Sequence, residues 1–325
     1  MIEAAVIGLG RVGATFQRDP RRTGVVTHAQ AWQMHPATSL VAGVDPSGER
    51  RSDFEADFDR PAYPTLASMT AHHSPTMVSV CTPPTDHARS VLAALAAGAE
   101  RVICEKPCTG RLEGAIRLFD DLGHDHFKVG VNFTRRYDPV HRRLFSAAAE
   151  EGVTSASGRY TAGLLNTASH WFDGLLSTCN VTEVLAIPGA EGEDPTPTVI
   201  ARLADGGVVT LFAESVARFM IYETDLVTAS GRVRLERAGA EASRLRRVQS
   251  ARFSEYHELA PDRFSPPLGL ANALLWVIDD AVRSAKQRRA MRCTVADAIR
   301  VHAVLEAARE SLECGSWVKL TDTPR

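Results

Sequence analysis

Apolar residues in the first 131 positions come in short runs, at 4–7, 40–44, 77–81, 102–104 and 128–131. Runs of this kind, bounded by turn-forming residues, predict strands. Between them, 86–97 and 112–122 predict helices, with Asp86 placed as an N-cap and Gly98 as a C-terminal stop. Strands alternating with helices predict a parallel, doubly wound sheet. Beyond about residue 150 the pattern changes. Strands are expected at 198–203, 207–214, 222–229 and 232–236, with hairpin turns at 205–207 and 230–231. This reads as an antiparallel sheet. A loop is expected at 188–197, and helices at 268–286 and 295–312 close the chain. The expected fold class is therefore α/β followed by α+β: a domain over 1–131 built on a doubly wound parallel sheet, and a domain over 132–325 built on a mainly antiparallel sheet.

The chain of 325 residues is long enough for two domains. It is 44% hydrophobic and 23% charged, with a formal net charge of -2. That balance gives no support to a nucleic-acid or membrane-surface partner. No apolar run reaches the roughly 20 residues of a membrane span. The chain opens directly on a strand, without the basic segment and apolar core of a secretory signal, so a cytoplasmic location is expected. The six cysteines, at 81, 104, 108, 179, 293 and 314, form no CxxC. Cys104 and Cys108 have no second ligand pair beside them, so reduced thiols and no metal are expected.

The first run leads into Gly8-Leu9-Gly10-Arg11-Val12-Gly13. After a strand and before a helix, this spacing lets the backbone approach a pyrophosphate, as in a Rossmann dinucleotide site. Asp45 ends the second strand, where a carboxylate accepts hydrogen bonds from the adenosine ribose and repels a 2′-phosphate. It lies 32 residues after Gly13, against about 20 in the simple motif, which places an inserted loop at 18–26. NAD is the expected cofactor, and Arg50 and Arg51 keep NADP open. Thr82, Pro83 and His87, after the third long strand, lie where a turn lines the cofactor. Glu105-Lys106-Pro107 follows the fourth strand. A lysine at the carboxyl end of a strand in such a sheet can place its ammonium beside a reacting hydroxyl or carbonyl.

The glycine motif, the Thr82-Pro83-Pro84-Thr85-Asp86-His87-Ala88 run and Glu105-Lys106-Pro107 together resemble the Gfo/Idh/MocA oxidoreductase family. The resemblance spans essentially the whole chain and is most specific over 1–175. It implies a Rossmann domain followed by an open-faced sheet domain, and substrates among sugars, cyclitols and their amino or nucleotide-linked derivatives. The sheet would serve as the interface of a homodimer or homotetramer. The family's second motif, an acidic residue four before a histidine and an aspartate three after it, matches at Asn166, His170 and Asp173, with Asn166 in place of the acid. It implies that His170 moves the proton, as suits an imidazole near neutral pH. Asn166 can hydrogen-bond a substrate hydroxyl but cannot take up a proton. Tyr160 and Gly163 complete a Tyr-x-x-Gly-x-x-Asn pattern of one subgroup. In the family, the stretch holding Asn132, Arg135 and Arg136 borders the substrate. For the basic run 244–247 a solvated loop is expected rather than a nucleotide-sugar diphosphate contact.

The sequence thus points to a nicotinamide-dependent oxidoreductase acting on CH–OH groups of a polyol. Lys106 and His170 are the expected catalytic residues. Gly8, Leu9, Gly10, Arg11, Val12, Gly13, Asp45, Thr82, Pro83, His87, Glu105 and Lys106 are expected at the cofactor. Lys106, Asn132, Arg135, Tyr160, Asn166, His170 and Asp173 are expected at the substrate. The alternatives are a catalytically silent, cofactor-sensing regulator and an enzyme of imine reduction or redox-assisted elimination.

Overall fold

The computed structural model describes all residues except 216–218, 263–269, 322, 324 and 325. The described chain divides into two compact units. The first comprises 1–137 and 270–299, the second 138–269 and 300–325. This differs from the expected division at 131/132. The chain returns to the first unit late, with a helix whose apolar face is buried.

In the first unit the order is β1 (Ile2–Ile7), α1 (His28–Met34), β2 (Thr38–Val44), α2 (Gly48–Phe58), β3 (Ala62–Tyr63), α3 (Leu66–Thr70), β4 (Met77–Val80), α4 (His87–Ala96), β5 (Arg101–Cys104), α5 (Leu112–Leu122) and β6 (Val129–Val131). The six strands form a parallel sheet in the order β3-β2-β1-β4-β5-β6. β4 and β5 are buried at every position, as strands covered by helices on both faces must be. Trp32, Phe54, Phe58, Leu40, Met69 and Met77 fill the core. Gly98, at φ 99°, follows α4 and stops it as expected, but the Asp86 side chain makes no cap bond and pairs with Arg89 instead.

In the second unit the order is α6 (Pro139–Glu151), β7 (Val153–Tyr160), α7 (Ser169–Leu176), β8 (Val181–Ala190), β9 (Thr196–Leu203), β10 (Val208–Ala213), β11 (Tyr222–Thr228), β12 (Gly231–Glu236), β13 (Glu241–Gln249) and β14 (His257–Pro261). The chain closes with α8 (Ala273–Gln287) in the first unit, α9 (Val295–Cys314) and β15 (Val318–Lys319). Of the helix expected at 268–286, residues 268 and 269 lie outside the described residues, and 270–272 form a 3₁₀ turn. Nine strands make one sheet, ordered β14-β13-β12-β11-β7-β10-β9-β8-β15. Every pair is antiparallel except β7 with β10, so the sheet is mainly antiparallel. Of two expected loops, 188–197 is strand at both ends and 244–247 is strand throughout. Residues 188–190 extend β8, and 244–247 lie within β13 between two partner strands.

Candidate active site

The strand order of the first sheet reverses direction between β1 and β4, and an open parallel sheet binds its ligands outside the carboxyl ends of its strands at such a point. The glycine fingerprint stands there. A Cβ on Gly8 would lie 2.5 Å from the carbonyl carbon of Cys81, and one on Gly13 would lie 2.0 Å from the Gly8 oxygen. These two glycines let the turn close onto the sheet. Gly10 is different: its Cβ would meet only Arg50, at 3.9 Å, so the backbone there stays open to a phosphate. The expected α-helix after the fingerprint does not form. Arg11–Thr15 is a single wide turn, with the amides of Ala14 and Thr15 both on the Gly10 oxygen, and Phe16–Arg18 is a 3₁₀ turn. Residues 19–27 then form the inserted loop.

Asp45 is 2% exposed. Its Oδ2 accepts the Leu9 amide at 2.9 Å and its Oδ1 the Ser47 amide at 2.9 Å. Arg50 Nη1 approaches Oδ2 at 3.5 Å, and Arg51 Nη1 donates to the Asp45 and Pro46 carbonyls. Leu9 itself is fully buried, so only its main chain is offered to this region. The Oγ1 of Thr82, just past β4, is buried with no hydrogen-bond partner among the described residues. A bound ligand would supply that partner. The open backbone at Gly10, the ribose-side carboxylate and this hydroxyl fit a dinucleotide.

Lys106 follows β5 and is partly exposed, and its peptide bond to Pro107 is cis. It is one of four lysines in a chain with 37 basic residues. The residue before it is buried in a polar network. Glu105 Oε1 takes His28 Nε2 at 2.9 Å and the Asn132 amide nitrogen at 2.5 Å, and its Oε2 takes the Lys106 main-chain N–H at 3.2 Å. His28 Nδ1 lies 2.9 Å from Ser79 Oγ, to which Trp32 Nε1 donates at 2.8 Å. Burial opposes charge on Glu105, but these donors prevail and hold its pKa below the ordinary carboxylate value. His28 is set by α1, whose Thr27 cap and Gln30 form a reciprocal capping box. Asn132 faces inward: its amide is on Glu105, and its oxygen accepts Thr134 Oγ1 at 3.2 Å. His87 is 1% exposed, with one ring nitrogen 2.7 Å from the Thr82 carbonyl and the other 2.8 Å from that of Pro107. It ties two turns together and presents no ring nitrogen outward. Arg136 pairs with Asp297 at 3.0 Å. Burial pushes the Cys104 thiol up, and that of Cys108 up to about 12.

In the second unit, Asn166 lies on a wide helical turn, Leu164–Ala168, that runs straight into α7. Asn166 is exposed, His170 half-buried and Asp173 buried. The turn is held by Asp194, a residue the sequence reading did not single out. Its two carboxylate oxygens accept the amides of Leu165 at 2.8 Å and Asn166 at 2.9 Å. Gly163, at φ 90°, makes room: a Cβ there would lie 2.0 Å from Asp194 Oδ2. Acidic residues in the 188–197 stretch were the only signal for this cap. Tyr160 is fully buried, and its hydroxyl donates to the Pro197 carbonyl at 2.7 Å. That places it in the sheet core rather than at a ligand. Tyr222 donates to the main-chain oxygen of His170 at 3.3 Å. Arg244 is ion-paired with Glu151 and, at 3.6 Å, with Asp262.

A parallel sheet of this order with a glycine cradle at its reversal point is the arrangement of a dinucleotide-binding domain. Residues 2–133 match the GFO_IDH_MocA model, which describes an oxidoreductase family with an NAD-binding Rossmann fold. No curated protein sequence matches the chain. Solved structures match it over nearly its full length. A myo-inositol dehydrogenase from Corynebacterium glutamicum is 15% identical, with 99% of each chain covered and a TM-score of 0.78. A UDP-N-acetylglucosamine 3-dehydrogenase from Acidithiobacillus ferrooxidans is 20% identical, with 96% of this chain and 98% of that chain covered, at 0.78. A levoglucosan dehydrogenase in complex with NADH is 17% identical, with 99% of each chain covered, at 0.80. At these identities the likeness establishes a common fold across both units.

Proposed function

We infer that this protein is an NAD-dependent dehydrogenase or reductase acting on a secondary alcohol or ketone of a sugar, cyclitol, amino sugar or nucleotide sugar. The observation that carries this reading is the buried network on Glu105, which fixes the main chain at Lys106 at the carboxyl end of β5, in the sheet that holds the glycine cradle. Gly10 admits the pyrophosphate, and Asp45 receives the adenosine ribose, which favours NAD; Arg50 at its rim admits a 2′-phosphate less well. NAD, when bound, accepts or returns the hydride. Lys106 hydrogen-bonds the reacting oxygen and stabilises negative charge developing on it. His170 takes the hydroxyl proton in oxidation and returns it in reduction. Asn166, exposed on its turn, hydrogen-bonds a neighbouring hydroxyl and leaves His170 to move the proton alone.

The solved neighbours support this substrate class through the names they carry, an inositol, an anhydrosugar and a nucleotide amino sugar. The open face of the second sheet exposes Val208, Phe212 and Val227, which supports its use in a homodimer or homotetramer. Among the described residues the cysteines are thiols rather than disulfides, in keeping with a cytoplasmic enzyme, and no helix there is long and apolar enough to cross a membrane. The test is absorbance at the reduced-nicotinamide band with NAD and a panel of myo-inositol, levoglucosan and UDP-N-acetylglucosamine, for the native chain and for Lys106→Met. The reading expects reduction by the native chain with at least one polyol, and reduction slower by about 100-fold or more by the variant. Equal rates in the two would overturn it.

A further inference from the structure

Two buried histidines flank Lys106 in the first unit, and neither reaches a ligand itself. His28 is fully buried and acts on the residue before the lysine. One hydrogen-bond assignment gives every hydrogen in its chain an acceptor: Trp32 N–H to Ser79 Oγ, Ser79 O–H to His28 Nδ1, and His28 Nε2–H to Glu105 Oε1. The far oxygen of the same carboxylate then receives the Lys106 amide. His87 acts on the residue after the lysine, through the Pro107 carbonyl, and its other nitrogen holds the Thr82 carbonyl next to the orphaned Thr82 hydroxyl. Both partners of His87 are main-chain carbonyls, one beside each ring nitrogen. A chain of buried polar groups with every member paired is rigid, and a single missing member leaves a buried group unpaired.

We propose that His28 and His87 are positioning residues for Lys106, one fixing the turn ahead of it through Glu105 and the other the turn behind it through Pro107. The proposal rests on the reading of Lys106 as catalytic. A misplacement of about 1 Å at a catalytic group can cost about 100-fold in rate, so loss of either histidine should act on kcat.

The test uses the full-length chain with its lysines reductively methylated with ¹³C. Among the lysines only Lys106, Lys128, Lys286 and Lys319 then report, beside the N-terminal amine, and Lys106→Met assigns the resonance of interest. In His28→Ala and His87→Ala the Lys106 resonance should shift or broaden while the other three stay in place. In unmethylated protein, kcat should fall by about 100-fold with the KM for the best polyol of the panel and the NAD dissociation constant nearly unchanged. His28→Gln should restore both readouts, because its amide supplies the one N–H that Glu105 needs. His87→Gln should not, because one amide cannot hold two carbonyls on opposite sides of a ring. An unmoved Lys106 resonance in both alanine variants would overturn the proposal, as would a joint shift of all four resonances, which marks general loosening. Full turnover in Lys106→Met would instead defeat the catalytic reading, and the resonance would still decide the positioning.

Discussion

The lysine of the first unit and the histidine of the second are held in different ways. Around Lys106, side chains from α1, β4, α4 and the end of β6 converge on the neighbouring residues Glu105 and Pro107, and His28, Ser79, His87 and Asn132 are each at most 2% exposed. Around the His170 segment, two side chains reach main-chain groups. One carboxylate, Asp194, gathers the amides at the start of the turn, and Tyr222 holds a carbonyl. Buried side-chain networks over-determine a position, whereas a capped turn at the surface can open locally. The difference teaches that the main chain beside Lys106 is fixed by buried side chains gathered from distant elements, whereas the turn leading to His170 is fixed by one carboxylate on its first amides.

The comparison can be broken or sharpened in order of expected effect. Lys106→Met should lower kcat by about 10²–10³-fold, the scale of a lost oxyanion donor, with NAD titration unchanged. His170→Asn should lower kcat by about 10²-fold, since proton transfer can be partly taken over by water. If the histidine variant loses more than the lysine variant, the ranking of the two regions is reversed. Asp45→Ala should weaken NAD by about 10-fold or somewhat more, the worth of hydrogen bonds to a charged acceptor, and NADP by less. Titration of both cofactors checks it.

Two smaller effects concern the second unit. Asp194→Ala leaves two amides without their acceptor and should cost about 1–2 kcal/mol, seen as faster amide exchange confined to 164–168. Exchange that also speeds up in β7 and β11 would mean that the turn is not a separate unit. His302 on α9 is buried, which lowers its pKa from 6.5 to about 4, with Arg309 adding to the effect. Between those values the unfolded chain binds a proton that the folded chain does not. Stability contributed in this way is intact above about pH 6.5 and falls as the pH drops toward 4, by at most about 1.4 kcal/mol per pH unit. His302→Leu should flatten that acid limb in denaturant titrations, and an unchanged slope would remove the assignment.

The same contrast explains what the sequence disclosed. The strands β1, β2, β4, β5 and β6 were legible because strands covered on both faces read as unbroken apolar runs. β7 and β13 were not. Their sequences, Val-Thr-Ser-Ala-Ser-Gly-Arg-Tyr and Glu-Ala-Ser-Arg-Leu-Arg-Arg-Val-Gln, carry small and charged residues on a half-exposed sheet, so no hydrophobic alternation marks them. Gly8 to Gly13, Asp45 and Lys106 could be singled out because local spacing marks them. His28 and Asp194 could not. Each acts on a partner far away in sequence, 77 residues for Glu105 and 28 for Asn166, and a lone histidine or a loop aspartate has no local signature. Tyr160 misled for the converse reason, since a tyrosine in a motif gives no sign that its hydroxyl is used inside the sheet.

The central claim is direct hydride transfer between a polyol carbon and the nicotinamide. The most direct measurement is mass spectrometry of the cofactor after incubation of the native chain with NAD and myo-inositol, levoglucosan or UDP-N-acetylglucosamine deuterated at the ring carbinol carbons. The account predicts reduced nicotinamide carrying deuterium from at least one of them. Reduced nicotinamide without the label, or none from any of the three, would contradict it.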